Sequence, residues 1–240
     1  MQQQDSDAFG LLLRDIANGY RYQIIERDDS LIEAGDGTIY LSTSNEWSDR
    51  ERMAVGLAKG SVLDIGCGAG RHALYLQSRG LDVLGIDNSP GAIALCRERG
   101  LSQAEVLPIS EVASLASRKF DTILMLGNNL GLLGSWNRGR QLLKALARIT
   151  TDQAILIGEN LDPYQTDNPD HLQYHEWNRA WGRMGGQIRM RVRHRRLIGP
   201  WFDYLFLSQS ELADLIVGTG WRIAQMMGES QYVAVMEKVR

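Results

Sequence analysis

Cysteine is scarce here: the 240-residue chain holds two, Cys67 and Cys96. They lack the spacing of metal ligands, and one falls in a glycine-rich turn and the other in a predicted helix. Both therefore read as free thiols in a reducing compartment, and no metal site is expected. Long apolar runs are missing too, since no stretch approaches the roughly 20 residues needed to span a bilayer. Met1 to Asp7 has neither the basic region nor the apolar centre of a secretion signal. A cytoplasmic protein without a membrane partner is the expectation. Nor is there an excess of positive charge. A formal net charge of −3 gives no general attraction to nucleic acid, so such binding would need a local patch. No internal repeat is visible.

What is present suits one α/β domain with an elaboration: 44% hydrophobic residues to fill a core and 23% charged residues to solvate its surface. Residues 8–17 read as a helix ended by Asn18-Gly19, and Asp49–Lys59 as a second, capped by Ser48 with Glu51 three residues on. From Ser61 the pattern alternates. Strands are predicted at Ser61–Ile65, Asp82–Ile86, Ala104–Leu107, Phe120–Leu126 and Ala154–Gly158. Helices fall between them at Arg71–Ser78, Pro90–Arg99 and Arg138–Ile149. Such alternation predicts a parallel sheet covered on both faces. After Glu159 the rhythm breaks. Gln187–Arg195 alternates strictly, with Ile188, Met190 and Val192 on one face and Arg189, Arg191, Arg193 and Arg195 on the other. Trp201–Leu207 is its expected antiparallel partner. Ser208 and Glu211 form a capping box for a helix reaching Val217, and Trp221–Met227 and Tyr232–Glu237 close the chain as a strand pair.

Within this pattern, Val62-Leu63-Asp64-Ile65-Gly66-Cys67-Gly68-Ala69-Gly70 carries an apolar strand and an acidic residue into a glycine turn. Leu84-Gly85-Ile86-Asp87 ends the next strand on a second acid. The stretch resembles the first two motifs of class I S-adenosylmethionine-dependent methyltransferases, over about residues 46–159 and 208–239. The resemblance implies a Rossmann-like, doubly wound, seven-stranded mixed sheet with a C-terminal antiparallel hairpin. N-terminal helices and the inserted strand pair are expected to form a lid. The expected division is a cap segment at 1–45 and a cofactor-binding domain at 46–240, with the insert at about 160–207.

The implied cofactor is S-adenosyl-L-methionine, with S-adenosyl-L-homocysteine as product. Gly66, Gly68 and Gly70 let backbone pass close to a ligand, with Cys67 inside the same turn. Asp64 can hold the amino end, Asp87 can accept both ribose hydroxyls, and Asn88 can add a ribose or adenine contact. Ile109 can stack on adenine, and Ser110 stands where the family often places an acid. Gly127 and Asn128, after the fourth strand, would line the methyl end. A dinucleotide-binding domain is the rival. Its G-x-G-x-x-G spacing differs from the G-x-G-x-G found here, and a carboxylate at Asp64 would repel a pyrophosphate while attracting an ammonium.

A general base is needed only if the acceptor arrives protonated. Glu159, His175 and Tyr22 are the leading candidates, from a field that includes Tyr20, Tyr164, His171 and His194. His72 is expected on the surface. The arginines of Gln187–Arg195, with Trp177, Trp181, Trp201 and Phe202 nearby, read either as a charged edge face or as a cover over the acceptor. The expected acceptor is a small molecule or short peptide, anionic or aromatic, methylated on nitrogen or oxygen. Nucleic acid and protein are alternatives, as is a non-catalytic cofactor-binding role.

Overall fold

The computed structural model describes residues 7–239, so the reading of Met1 to Asp7 for a leader falls almost wholly outside it. Asp7 opens the first helix, α1 (Ala8–Ala17), by accepting from the Gly10 backbone N–H. Two strands follow that the sequence pattern did not predict: β1 (Tyr22–Arg27) and β2 (Ile32–Asp36). Helix α2 (Asp49–Gly56) starts at Ser48 as expected. Its capping box is only half formed, because the Glu51 side chain turns instead to Arg71 and His72.

The predicted alternation is then realised in order: β3 (Ser61–Ile65), α3 (Arg71–Ser78), β4 (Asp82–Asp87), α4 (Pro90–Glu98), β5 (Ala104–Val106), β6 (Phe120–Met125), α5 (Trp136–Arg148) and β7 (Thr150–Leu161). After β7 come α6 (Pro169–Ala180), β8 (Gln187–His194), the short β9 (Leu197–Ile198), β10 (Phe202–Leu205), α7 (Gln209–Ile216), β11 (Trp221–Met227) and β12 (Gln231–Lys238). The expected capping box at Ser208 and Glu211 is complete.

The main sheet has seven strands in the order β11-β12-β7-β6-β3-β4-β5. β3 to β7 pair in parallel, while β12 runs antiparallel to both β7 and β11. Strands covered on both faces read as continuous apolar runs. On β6, Ile123, Leu124 and Met125 are fully buried; each such side chain contributes about 1.5–3 kcal/mol of transfer free energy. β7 is longer than expected because β12 zips along it as far as Leu161. Glu159 therefore lies inside a strand, opposite Val233.

A second, antiparallel sheet has five strands, β10-β8-β1-β2 with β9 beside β8. The expected strand pair of the insert is present, and the N-terminal segment adds two more strands to it. Of the expected N-terminal helices, α1 is the one found before residue 36 among the described residues, with a 3-10 turn at Gly37–Leu41 beyond it. Val192 of β8 packs on Ala8, Leu12 and Ile16 of α1. Helix α1 in turn packs on α4, where Gly10 and Gly91 are so close that a Cβ on Gly10 would fall 2.7 Å from the Gly91 Cα. The order through the molecule is second sheet, α1, glycine turn.

Candidate active site

At the carboxyl ends of the parallel strands, buried acids meet a backbone turn. Asp64, the fourth residue of β3, is 2% exposed, and its Oδ2 has no hydrogen-bond partner. Burial pushes this carboxyl up to about 7, opposed by the Arg71 guanidinium and reinforced by Asp87. The turn that follows places Gly66, Gly68 and Gly70 at φ of 70°, 55° and 79°, a left-handed conformation that side chains resist. Asp87 ends β4. Its Oδ2 accepts from Gly68 N–H at 3.0 Å and its Oδ1 from Ser89 N–H at 2.9 Å. Burial pushes Asp87 to about 6, and those two N–H groups restrain the rise. A carboxylate has about four acceptor sites, so two bonds leave capacity for a ligand.

The far side of the site is the loop after β6. Gly127 and Asn128 are consecutive left-handed residues, with φ of 69° and 64°. Gly127 N–H donates to Glu159 Oε2 at 2.7 Å, and Arg50 stands 3.5 Å from Glu159 Oε1. Asn129 Nδ2 donates to the carbonyls of Ile65 and Gly66 at 3.0 and 2.8 Å, fastening this loop to the glycine turn. Tyr204 of β10 donates to the Asn128 carbonyl at 2.5 Å. Its ring fills the space beside Gly131, where a Cβ would fall 1.9 Å from the Tyr204 Cε1. Burial raises the Tyr204 hydroxyl far above its ordinary value and pushes the Tyr40 hydroxyl to about 12. Both are neutral hydroxyls at any ordinary pH.

The structure thus brings together Asp64, Gly66, Gly68, Gly70, Asp87, Gly127, Asn128 and Glu159. Asn88 is exposed just beyond β4. Ile109 is buried and Ser110 exposed at the start of the 3-10 turn after β5. Cys67 points beneath the turn, with its Sγ 3.9 Å from that of Cys96, which donates to the Gly68 carbonyl. Any contact from Cys67 to a ligand is therefore through its backbone. Two clefts flank the turn, one of about 320 Å³ between α1 and α4 and one of about 250 Å³ beside Trp47. Neither is lined by Asp64 or Asp87, so the candidate site rests on the buried polar atoms rather than on cavity shape.

Other expected residues lie elsewhere. Tyr22 is 56% exposed on β1, with its ring against Tyr20. His175, on α6, packs on Tyr164, whose hydroxyl donates to Glu211. Burial lowers the His175 pKa, with the Arg179 charge adding to the effect. His194 is spent on Asp15 of α1 at 2.6 Å, and His171 lies 3.6 Å from Glu33. His72 is buried, not superficial, because Glu51 and Trp47 close over it. Burial lowers it to about 4, so it is neutral. Arg191 and Arg193 lie opposite the face that meets α1 and pair with Glu26, while Arg195 pairs with Asp15. Arg71, Glu51, Tyr40 and Tyr204 were not among the expected site residues. For Arg71 one signal existed, a cation directly after the third glycine of the turn.

Residues 62–153 match the family described as a methyltransferase domain. That match covers less than half of the chain. A 75-residue segment is 41% identical to the 2-heptyl-1-hydroxyquinolin-4(1H)-one methyltransferase of Mycobacteroides abscessus, covering 29% of this chain and 33% of that protein. An 83-residue segment is 35% identical to the ubiquinone biosynthesis O-methyltransferase of Acinetobacter baumannii, covering 32% of this chain and 34% of that one. The matched region spans about a third of the length of these curated relatives. The likeness of fold extends further. A SAM-dependent methyltransferase from Bacteroides fragilis, solved in complex with S-adenosyl-L-homocysteine, aligns over 98% of this chain and 96% of its own at a TM-score of 0.82 and 22% identity. Among the described residues, no helix is long and apolar enough to cross a membrane.

Proposed function

We propose that this chain moves a methyl group from S-adenosyl-L-methionine to nitrogen or oxygen of a small-molecule acceptor. The observation that carries the reading is Asp64, buried under the glycine turn with one carboxylate oxygen unpartnered. A negative floor of this kind attracts an ammonium and repels a pyrophosphate. Bound there, the donor supplies a methyl group activated by its sulfonium. Asp64 would take the amino end, and Asp87, with acceptor capacity to spare, the ribose hydroxyls. Gly66 and Gly68 admit the ligand to the backbone, with Asn88, Ile109 and Ser110 on the adenine side.

Much of the rate in such a displacement comes from alignment of nucleophile, methyl and sulfur. The loop at Gly127 and Asn128 is held from three sides for that purpose, by Glu159, Asn129 and Tyr204. Glu159 acts here as a positioning residue, since one oxygen is spent on the Gly127 N–H. Residues 7–45 and 160–207 together form the cap over the acceptor, and residues 46–239 outside that insert form the donor-binding domain. A small acceptor is supported by the relatives, one named for a quinolone and one for O-methylation in ubiquinone biosynthesis. Pairing of Arg191 and Arg193 with Glu26 removes the main support for a nucleic-acid acceptor.

Calorimetric titration with S-adenosyl-L-homocysteine tests the reading. Wild type is expected to bind, and Asp87→Ala to lose about 100-fold or more, as two charge-assisted hydrogen bonds disappear. Unchanged affinity in Asp87→Ala would contradict it.

A further inference from the structure

The cleft of about 250 Å³ beside Trp47 lies outside the donor site. It is bounded by α3 at Leu74 and Tyr75, by Arg99 at the end of α4, and by the segment 42–44 with its three consecutive hydroxyl residues. Arg71 also borders it, but that side chain is already committed, to Glu51 at 2.8 Å and to Ser42 Oγ at 3.0 Å. Neither the acids nor the glycines of the donor site line this space.

Arg99 directly follows the last residue of α4 and is half-buried. One of its N–H groups donates to the Ala69 carbonyl. A guanidinium has five N–H donors, so most of them remain. Elsewhere the arginines sit on carboxylates, as Arg14, Arg27 and Arg195 do on Glu98, Asp29 and Asp15. Arg99 has no carboxylate partner among the described residues, and burial holds its pKa below the ordinary value. A partly buried cation without a counter-charge is costly, and a bound anion offsets that cost. Leu74 and the rings of Tyr75 and Trp47, edge to face at 5.2 Å, give the cleft apolar walls. Such walls concentrate the field of the charge they enclose.

We propose that this cleft binds a phosphate group, held by Arg99 with the Ser44 hydroxyl as a second hydrogen-bond donor. The site is separate from the donor pocket and goes beyond the methyl transfer proposed above. A phosphate group offers several charged acceptor oxygens on one centre, which matches the several N–H groups of one unpaired guanidinium.

Calorimetric titration with inorganic phosphate, against sodium chloride at matched ionic strength, tests the site and needs no methyl donor. Wild type is expected to bind phosphate saturably. Arg99→Gln should weaken binding by about 10- to 100-fold, the range of a charge-assisted hydrogen bond. Ser44→Asp puts a carboxylate into the cleft and leaves Arg99 in place. It should abolish binding without lowering Tm, so that the loss is not that of a misfolded chain. Phenyl phosphate separates the two sources of the group: tighter binding than inorganic phosphate assigns a phosphate ester, weaker binding assigns free phosphate. As S-adenosyl-L-homocysteine is raised, phosphate affinity should level off at a finite value. Absence of saturable phosphate binding by wild type would overturn the proposal, as would unchanged affinity in Arg99→Gln. Phosphate affinity that falls without limit as S-adenosyl-L-homocysteine rises would also overturn it, because the two would then share the donor pocket.

Discussion

The main sheet takes its five parallel strands in succession from residues 61–161, each separated from the next by a helix or a short turn. The second sheet joins residues 22–36 to residues 187–205, and its cross-strand pair Glu26–Arg191 spans 165 positions of sequence. The donor side is thus assembled from local units, and the cap from distant pieces. A further difference follows in how each is held. The parallel strands sit between two apolar clusters, and Leu205 and Leu207 reach into the larger of them; the other seams are Tyr204 on Gly131 and Asn128, α1 on α4, and Asp7 bridging two helix starts. Donor chemistry needs a fixed turn, and acceptor binding needs a surface adjustable without disturbing it. In the proposed function the two halves divide those demands.

The seams offer the sharpest ways to break the contrast. Gly131→Ala should have the largest effect, because its methyl would collide with the Tyr204 ring. A loss of about 1–3 kcal/mol is expected in denaturant unfolding. In a Tyr204→Ala background the same change should cost far less, which would show that the two halves meet there. Next comes Asp7, whose Oδ1 accepts from Gly10 N–H and Ser89 Oγ and whose Oδ2 accepts from Gly91 N–H. Asp7→Ala removes caps from α1 and α4 together and should cost about 1–2 kcal/mol. Limited proteolysis should then cut first before residue 45, with the parallel sheet intact.

A smaller effect is expected from pH. Asp64 and Asp87 are raised to about 7 and about 6 from 3.8. The folded, ligand-free chain therefore holds these protons more tightly than the unfolded one. Their contribution to stability is full below 3.8 and is lost as pH rises through 6 to 7. Affinity for S-adenosyl-L-homocysteine should climb over the same window, because an ionised Asp64 is what attracts the ammonium. Asp64→Asn should flatten both trends, and a calorimetric series between about pH 5 and 8 would read them. Glu26→Gln should do least. Its partners lie on the solvent side of the second sheet, so ligand affinity should not change, and a change would mean that this face reaches the site.

Legibility in the sequence followed the same division. The succession of strands and helices in the main sheet was readable because each turn and cap lies within a few residues of what it organises: Gly70 before α3, Ser89 before α4, Ser208 before α7. β1 and β2 were not, since Tyr22–Arg27 shows no clean alternation and its partner β8 lies far along the chain. His72 was misread because the residues that bury it, Trp47 and Glu51, come from another element. Asp64 and Asp87 stood out as acids ending apolar strands. Glu159 was picked for its place at the end of the fifth strand, His175 and Tyr22 for their residue types, and Glu159 alone of the three bonds to the Gly127 loop. Tertiary placement, rather than residue type, decided among them.

A crystal structure of the chain with S-adenosyl-L-homocysteine would test the central claim most directly. The ribose is expected on Asp87, the amino group on Asp64 and the sulfur facing Gly127 and Asn128. A nucleoside seated away from the turn, with both carboxylates untouched, would contradict it.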